Sequence, residues 1–467
     1  ARLPLVFAPT PIVLEPDVPT PQLTDSLVLP CGAVLPNRLC KSAMTEGVAD
    51  ELLRPTSRHE VLYRQWSEGG CGLLITGNVQ IDRRVLERPG NVAIDPAPAD
   101  AEMMKRLKAW AKAGTVNGNH LWMQISHAGR QSPMYVTMEP LAPSAVQLKL
   151  LANYAKPRAL REDEILDFIQ RYARVAATAR EAGFTGVQIH GAHGYLLSSF
   201  LSGVTNLRTD AWGGSLENRA RMLLETIKAT RKAVGADFPI SVKLNSADFQ
   251  KGGFTNEECL KVVEWLNEAG IDLLEVSGGS YEQPRLLGYE GKAKDVAGYR
   301  GPDQAEAPKQ LESTRKREAY FLEYATAIRR VAKMPMLVTG GFRTRDGMDE
   351  ALASGDCDVV GLGRPLCGET DLAKRLLNGS IRELPRYEKN MQLGPGIFAP
   401  TTKVHLFRLI NVFGQQGWYY LQLLRLADGL KPNFKLGVFG AFVGYLTDEY
   451  KKAWRMHRAR RAAAKAV

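Results

Sequence analysis

No apolar run in this 467-residue chain reaches the roughly 18–20 residues that a bilayer-spanning helix needs. Cysteine is scarce as well. The six present never fall in a Cys-x-x-Cys spacing, which argues against a zinc site and against a disulfide framework. Such usage points to a reducing compartment, the cytoplasm. No secretory leader is visible, although a start at Ala1 leaves room for one already removed. The Gly-x-Gly-x-x-Gly turn is missing after the first strand-like run, which disfavours a dinucleotide-binding open sheet. Acidic residues are missing from the end of the chain. From Lys451 onward there are Lys451, Lys452, Arg455, Arg458, Arg460, Arg461 and Lys465, and no acid. These carry most of the net charge of +11 and leave only +4 for the preceding 450 residues. No nucleic-acid motif accompanies the charge, so nucleic acid is not an expected partner.

What is present is ordinary for a globular protein: 45% hydrophobic and 24% charged residues. Strand-like apolar runs alternate with amphipathic helical runs. The expected strands are Arg38–Met44, Gly72–Val79, Leu121–Ser126, Thr185–His190, Ile240–Leu244, Leu273–Ser277, Met336–Thr339 and Val359–Gly363. The helices between them include Ser57–Glu68, Glu102–Ala113, Asp163–Ala182, Leu216–Val234, Asn256–Ala269, Glu318–Ala332, Arg345–Ala353 and Leu372–Leu377. Eight strands, each followed by a helix, are the pattern of a single (β/α)8 TIM barrel, an α/β fold. Leu27–Leu29 and Val34–Leu35 flank a Pro-Cys-Gly turn and read as an N-terminal hairpin under the barrel floor. Two connections are long, Ala128–Arg161 and Gly278–Arg317, and loops of that length are usually functional.

The barrel with its hairpin is expected over residues 1–394 and a C-terminal extension with a basic end over 395–467. Val404–Phe413 and Trp418–Leu426 read as helical stretches. The extension is expected to pack on the barrel, in preference to resting on a membrane surface or joining a second copy of the chain. The final charged stretch reads as a segment that truncation at Asp448 would remove without harm.

The chemistry-bearing types gather at strand ends. His190-Gly191-Ala192-His193-Gly194-Tyr195 follows an apolar strand. In a straight strand the two histidines would face opposite sides, so the chain must leave extended geometry after His190. A metal is the rival use of His-x-x-His, but no convincing third ligand stands nearby. Gly340-Gly341 and Gly363-Arg364 follow the last two strands, where barrels commonly bind phosphate. Lys243 lies inside an apolar strand. A buried lysine there needs a partner, either a structural acid such as Glu275 or a ligand charge.

From His190 to Arg219 the chain resembles the Old Yellow Enzyme family of FMN-dependent ene-reductases, nearly without a break, and matching segments run from about Leu35 to Gly379. The resemblance implies non-covalent FMN, NAD(P)H as reductant and an electron-poor alkene as the small-molecule substrate. It assigns Gly340, Gly341, Gly363 and Arg364 to the phosphate. Ser42, Ala43, Met44, Thr45, Gly77, Gln124 and Lys243 fall to the isoalloxazine, with Lys243 as counter-charge at N1 and Thr45 near O4. His190 and His193 would hold the substrate oxygen, and Tyr195 would protonate the α-carbon after hydride leaves flavin N5. Arg285, Lys292 and Lys294 are available for the nicotinamide sugar-phosphate. Glu46-Gly47 replaces an aromatic substrate contact found in some bacterial members, which reshapes the pocket. His127 reads as structural. Other readings of the same barrel are a flavin oxidase, a dienoyl-thioester or xenobiotic reductase, or a non-catalytic scaffold acting through its tail.

Overall fold

A computed structural model of the chain describes residues 20–95, 99–150, 152–279 and 322–465. A short antiparallel hairpin comes first, β1 (Leu27–Val28) and β2 (Val34–Leu35), paired Leu27 to Leu35. The chain then lays down β3 (Leu39–Lys41), β4 (Leu73–Ile75), β5 (Val79–Gln80), β6 (His120–Ser126), β7 (Leu141–Ala142), β8 (Arg158–Ala159), β9 (Gly186–Gly191), β10 (Ile240–Asn245), β11 (Leu273–Ser277), β12 (Met336–Thr339) and β13 (Val359–Leu362). The helices are α1 (Ser57–Glu68), α2 (Ala101–Ala113), α3 (Glu162–Ala182), α4 (Leu196–Leu201), α5 (Leu216–Val234), α6 (Asn256–Ala269), α7 (Leu322–Arg329), α8 (Arg345–Ala353), α9 (Leu372–Leu377), α10 (His405–Ala427) and α11 (Val438–Lys465).

Eight parallel strands close a ring in the order β3, β4, β6, β9, β10, β11, β12, β13 and back to β3. This is the expected TIM barrel. Its floor is apolar: Leu29 and Leu35 of the hairpin region pack with Cys40, Leu73, Ile75, Trp122, Leu273, Leu337 and Val359. The strand expected over Gly72–Val79 is broken into β4 and β5. Thr76 causes the break. Its hydroxyl accepts from the Gln124 N–H at 2.9 Å, a bond that a regular ladder would give to a carbonyl. Gly77 then runs so close to the preceding loop that a Cβ would stand 2.4 Å from Glu46 Oε2 and 2.5 Å from the Met44 carbonyl. The connection from Ala128 to Arg161 is tied down by the two-residue parallel pair β7–β8. The second long connection lies mostly outside the described residues.

The extension departs from the expectation in one respect and supports it in another. The two short helical stretches are a single helix, α10, and α11 runs in the same direction beside it. Glycines permit the approach. A Cβ on Gly414 would meet the Val438 carbonyl at 2.5 Å, and one on Gly417 would meet Tyr445 Cβ at 2.7 Å. Tyr420 stacks on Tyr445 with ring centroids 5.4 Å apart. The pair packs on the barrel's mouth, as expected. Arg58 of α1 meets Asp428 at 2.7 Å, and Trp66 and α10 lie against the turn at Arg364–Cys367. The last stretch is not free to be removed. Ala453 and Met456 are buried, Met456 packs with Leu53, Leu86, Ala93 and Val136, and His457 Nε2 bonds the Tyr135 carbonyl at 2.9 Å. Among the described residues no helix is long and apolar enough to cross a membrane.

Candidate active site

β9 ends at Gly191, and the chain turns away where the spacing of the histidines requires it. His193 has φ 63° and Gly194 φ 79°. The left-handed region is uncommon for a residue with a Cβ. Here it is held by a bond from the His193 N–H to Asn245 Oδ1 of β10, at 3.1 Å. The turn brings three rings together. His190 stands 5.3 Å from His193 and 4.8 Å from Tyr195 between centroids, edge-on in both cases. Tyr195 is buried at the residue that caps α4.

The two imidazoles are neutral at pH 7. Burial first, then His193 and the Lys243 charge, hold His190 well below the usual histidine range. Burial and Lys243 do the same to His193. A neutral imidazole has one N–H to give. The Ala192 N–H donates to His190 Nδ1 at 3.2 Å, so the His190 proton sits on Nε2. His193 Nε2 is engaged with Ser277 Oγ at 2.6 Å.

Below the rings lies a buried polar chain that crosses the barrel. Gln124 Nε2 donates to Gln188 Oε1 at 2.7 Å, and Gln188 Nε2 donates to Glu275 Oε2 at 2.8 Å. Thr339 Oγ1 donates to Glu275 Oε1 at 2.7 Å and shares a bond with Ser42 Oγ at 2.7 Å. Lys243 Nζ is 3.0 Å from Glu275 Oε1. The structural ion pair considered for Lys243 is therefore present. Ser42, Gln124 and Lys243 are joined through Gln188, Glu275 and Thr339, which sequence reasoning did not assign to the site. The chain also orients the Gln124 amide, whose Nε2 is directed at Gln188.

Ala43, Met44 and Thr45 follow β3, and the Met44 sulfur lies 3.4 Å from Cys367 Sγ. Gly77 has both backbone groups engaged within the chain: its N–H donates to Glu46 Oε1 at 2.9 Å and its carbonyl accepts from Thr76 Oγ1 at 2.9 Å. Glu46 is turned inward to Gly77 and the Tyr63 hydroxyl, with Lys41 at 4.0 Å. It is a packing residue of the loop. Above Gly47 stands the Arg88 guanidinium, with Cζ 3.1 Å from where a Gly47 Cβ would lie. Arg88 is buried, paired with Glu449 of α11, and 4.0 Å from the centroid of the Tyr420 ring. Side chains that the extension holds thus lie beside the Glu46-Gly47 loop.

At the other side of the mouth, Gly340 and Gly341 have φ 139° and 83° at the end of β12. These are backbone conformations that glycine adopts readily and other residues rarely. Gly363 and exposed Arg364 follow β13, the neighbouring strand. A second guanidinium lies close by in the chain: Arg343 is buried, and it binds Glu388 at 2.9 Å. An exposed guanidinium, with the Glu388 carboxylate nearby, beside a glycine turn at the last two strand ends fits a phosphate. The buried lysine and the oriented glutamine fit the polar edge of an isoalloxazine.

The remaining motif residues hold the frame. His127 packs on Phe168 at 4.9 Å and takes the Gly129 N–H on Nδ1 at 3.0 Å, a structural role. Asn206 bonds the Phe200 and Trp212 carbonyls at 2.8 Å, and Arg208 pairs with Asp210 at 2.5 Å. Burial pushes the Cys71 thiol up to about 12, which leaves it inert at pH 7. Arg285, Lys292 and Lys294 lie outside the described residues.

The chain is similar to known flavin oxidoreductases. The chain is 37% identical over 355 residues to the NADH-dependent flavin oxidoreductase iliE of Neonectria sp., which covers 73% of this chain and 45% of that one. The chain thus spans less than half of that relative. It is 36% identical over 425 residues to the NADH-dependent flavin oxidoreductase iccE of Talaromyces variabilis, covering 87% of this chain and 98% of that one. Among solved structures, the old yellow enzyme homologue from Zymomonas mobilis superposes with a TM-score of 0.63 at 25% identity, over 82% of this chain and 99% of that one. The model of the NADH:flavin oxidoreductase / NADH oxidase family matches residues 32–288. The chain belongs to that family, an FMN- and NAD(P)H-dependent flavin oxidoreductase of the Old Yellow Enzyme type.

Proposed function

We propose that the protein reduces the C=C bond of electron-poor alkenes, enones and related compounds, with NADH as reductant. The observation that carries the reading is the His190–His193–Tyr195 cluster, with one imidazole N–H fixed on His190 Nε2 by the Ala192 bond. Two directed donors suit one substrate oxygen. They polarise a conjugated alkene toward hydride arrival at its β-carbon. The Ser277 hydroxyl on His193 Nε2 serves this arrangement if it donates, because the His193 proton then sits on Nδ1 and faces the substrate. Neutral rings are an advantage, since a substrate oxygen then meets donors without an ion pair to break. The Tyr195 phenol supplies the proton that the α-carbon needs.

Bound FMN supplies hydride acceptance from NADH and hydride donation to carbon. The chain's part is to seat and orient it. Gly340, Gly341, Gly363 and Arg364 receive the phosphate. Gln124 presents its amide to the pyrimidine edge, and Thr45 meets O4. Lys243 would supply the counter-charge at N1, with Glu275 holding its ammonium in place. NADH is favoured over NADPH by the names of the relatives, both NADH-dependent. Steady-state NADH oxidation with a panel of enones, nitroalkenes and quinones tests the reading, with product analysis for the saturated carbon skeleton. Turnover with dioxygen alone would assign the site to an oxidase instead.

A further inference from the structure

The two faces of α11 meet different surroundings. One is buried in the molecule, through Val438, Ala441, Glu449, Ala453 and Met456. The other is uncovered. Phe439, Val443, Tyr450 and Trp454 are 58%, 46%, 56% and 57% exposed, and half-buried Leu446 lies among them. At 3.6 residues per turn these five positions share about a quarter of the helix circumference. Leu446, Thr447, Tyr450, Lys451 and Trp454 line an open groove of about 470 Å³.

Cations border this stripe. Lys451, Arg455, Arg458, Arg461 and Lys465 are exposed, and the Arg458 guanidinium lies 5.5 Å from the Trp454 ring centroid. Among the described residues none of these five forms an ion pair. The chain has no acid after Glu449; that carboxylate is buried on Arg88, and Asp448 is held by Lys452 at 2.5 Å.

We propose that α11 docks on an anionic membrane surface through this face. Charge complementarity selects the occupant. A second copy packed parallel on the same face would bring like-charged clusters together, and one packed antiparallel would set them against the uncharged Val438–Thr447 half, so neither supplies the opposing charge. A bilayer with anionic headgroups accepts both halves of the face. The apolar stripe enters the boundary between headgroups and acyl chains, Tyr450 and Trp454 sit at headgroup depth, and the lysines and arginines reach lipid phosphates. The helix lies on the surface and does not cross it.

Co-sedimentation of the FMN-loaded protein with phosphatidylcholine vesicles, with and without phosphatidylserine, tests this. The protein should pellet with the anionic vesicles only, and salt should release it. Arg455→Gln/Arg458→Gln/Arg461→Gln should weaken binding on the order of 10²-fold at low salt. Tyr450→Ser/Trp454→Ser should weaken it as well. Both variants alter exposed side chains, so FMN content and melting temperature should stay as in the parent. Failure of the parent to bind phosphatidylserine vesicles overturns the proposal. So does unchanged binding by both variants, or a dimer in sedimentation velocity that Tyr450→Ser/Trp454→Ser dissociates.

Discussion

His190, His193 and Tyr195 were legible because they sit within six consecutive positions at one strand end, and the forced turn between the histidines is the turn at His193. Gln188, Glu275 and Thr339 were not. Gln188 and Glu275 lie mid-strand and Thr339 ends β12, and only the register of neighbouring strands shows that they join Gln124, Lys243 and Ser42 into one chain. Tyr195→Phe separates the half-reactions. It should keep FMN and be reduced by NADH at close to the parent rate, while enone reoxidation slows by roughly 10²–10⁴-fold in stopped flow, the usual worth of a positioned acid. Equal slowing of both halves would remove Tyr195 from the proton-donor role. Lys243→Ala should destabilise by roughly 3–5 kcal/mol, because it leaves the Glu275 carboxylate buried without its counter-charge. Lys243→Met/Glu275→Gln should recover much of that stability in denaturant titrations, yet still bind a flavin of lower reduction potential. A parent-like potential in the double variant would confine Lys243 to a structural role. His59 tests the pH dependence. Burial lowers its pKa from the ordinary 6.5 to about 3. Below about pH 6.5 the unfolded chain takes up a proton that the folded chain refuses, so stability is lost as pH falls from there toward 3. His59→Gln should flatten unfolding free energy against pH by up to about 1.4 kcal/mol per pH unit in that window. An unchanged slope would contradict the neutral assignment.

At the scale of elements, the barrel strands and most helix limits followed from periodicity, since β11, β12, α1, α5, α6, α8 and α9 begin and end where the pattern does. Elsewhere the pattern fell short, as with α4, the β7–β8 pair and the length of α11, and two departures have a clear physical cause. The break between β4 and β5 depends on a hydroxyl bond from a neighbouring strand, invisible along the sequence. The continuity of α10 was hidden by Gly414 and Gly417, which read as breakers. In the fold they are contact points for α11. Gly414→Val should therefore cost more than a propensity gain returns. Its side chain would enter the Val438 backbone, and we expect a loss of roughly 1–3 kcal/mol in chemical denaturation. A neutral or stabilising result would mean that the two helices are free to separate.

At the scale of the whole molecule, the extension and the barrel share one core: Leu423, Leu424, Leu426 and Ala427 of α10 belong to the cluster that includes Leu62, Tyr63 and Trp66 of α1. Arg88 and Glu449 join barrel loop to α11 in a buried pair. Composition suggested a trailing basic end, because the sequence displays seven charges and conceals which side of the helix they leave bare. Truncation at Asp448 should lower the melting temperature and the FMN content of the purified protein, since it strands the Arg88 guanidinium away from water. Retained stability would show that Arg88 finds another partner. The account as a whole rests on delivery of hydride from NADH through FMN to carbon. Anaerobic mixing of the NADH-reduced parent protein with 2-cyclohexenone, followed at the flavin absorbance with product analysis, tests that directly. The account predicts that oxidised-flavin absorbance returns in step with one equivalent of cyclohexanone per flavin. Absorbance that stays bleached with the enone and returns only when air is admitted would contradict it.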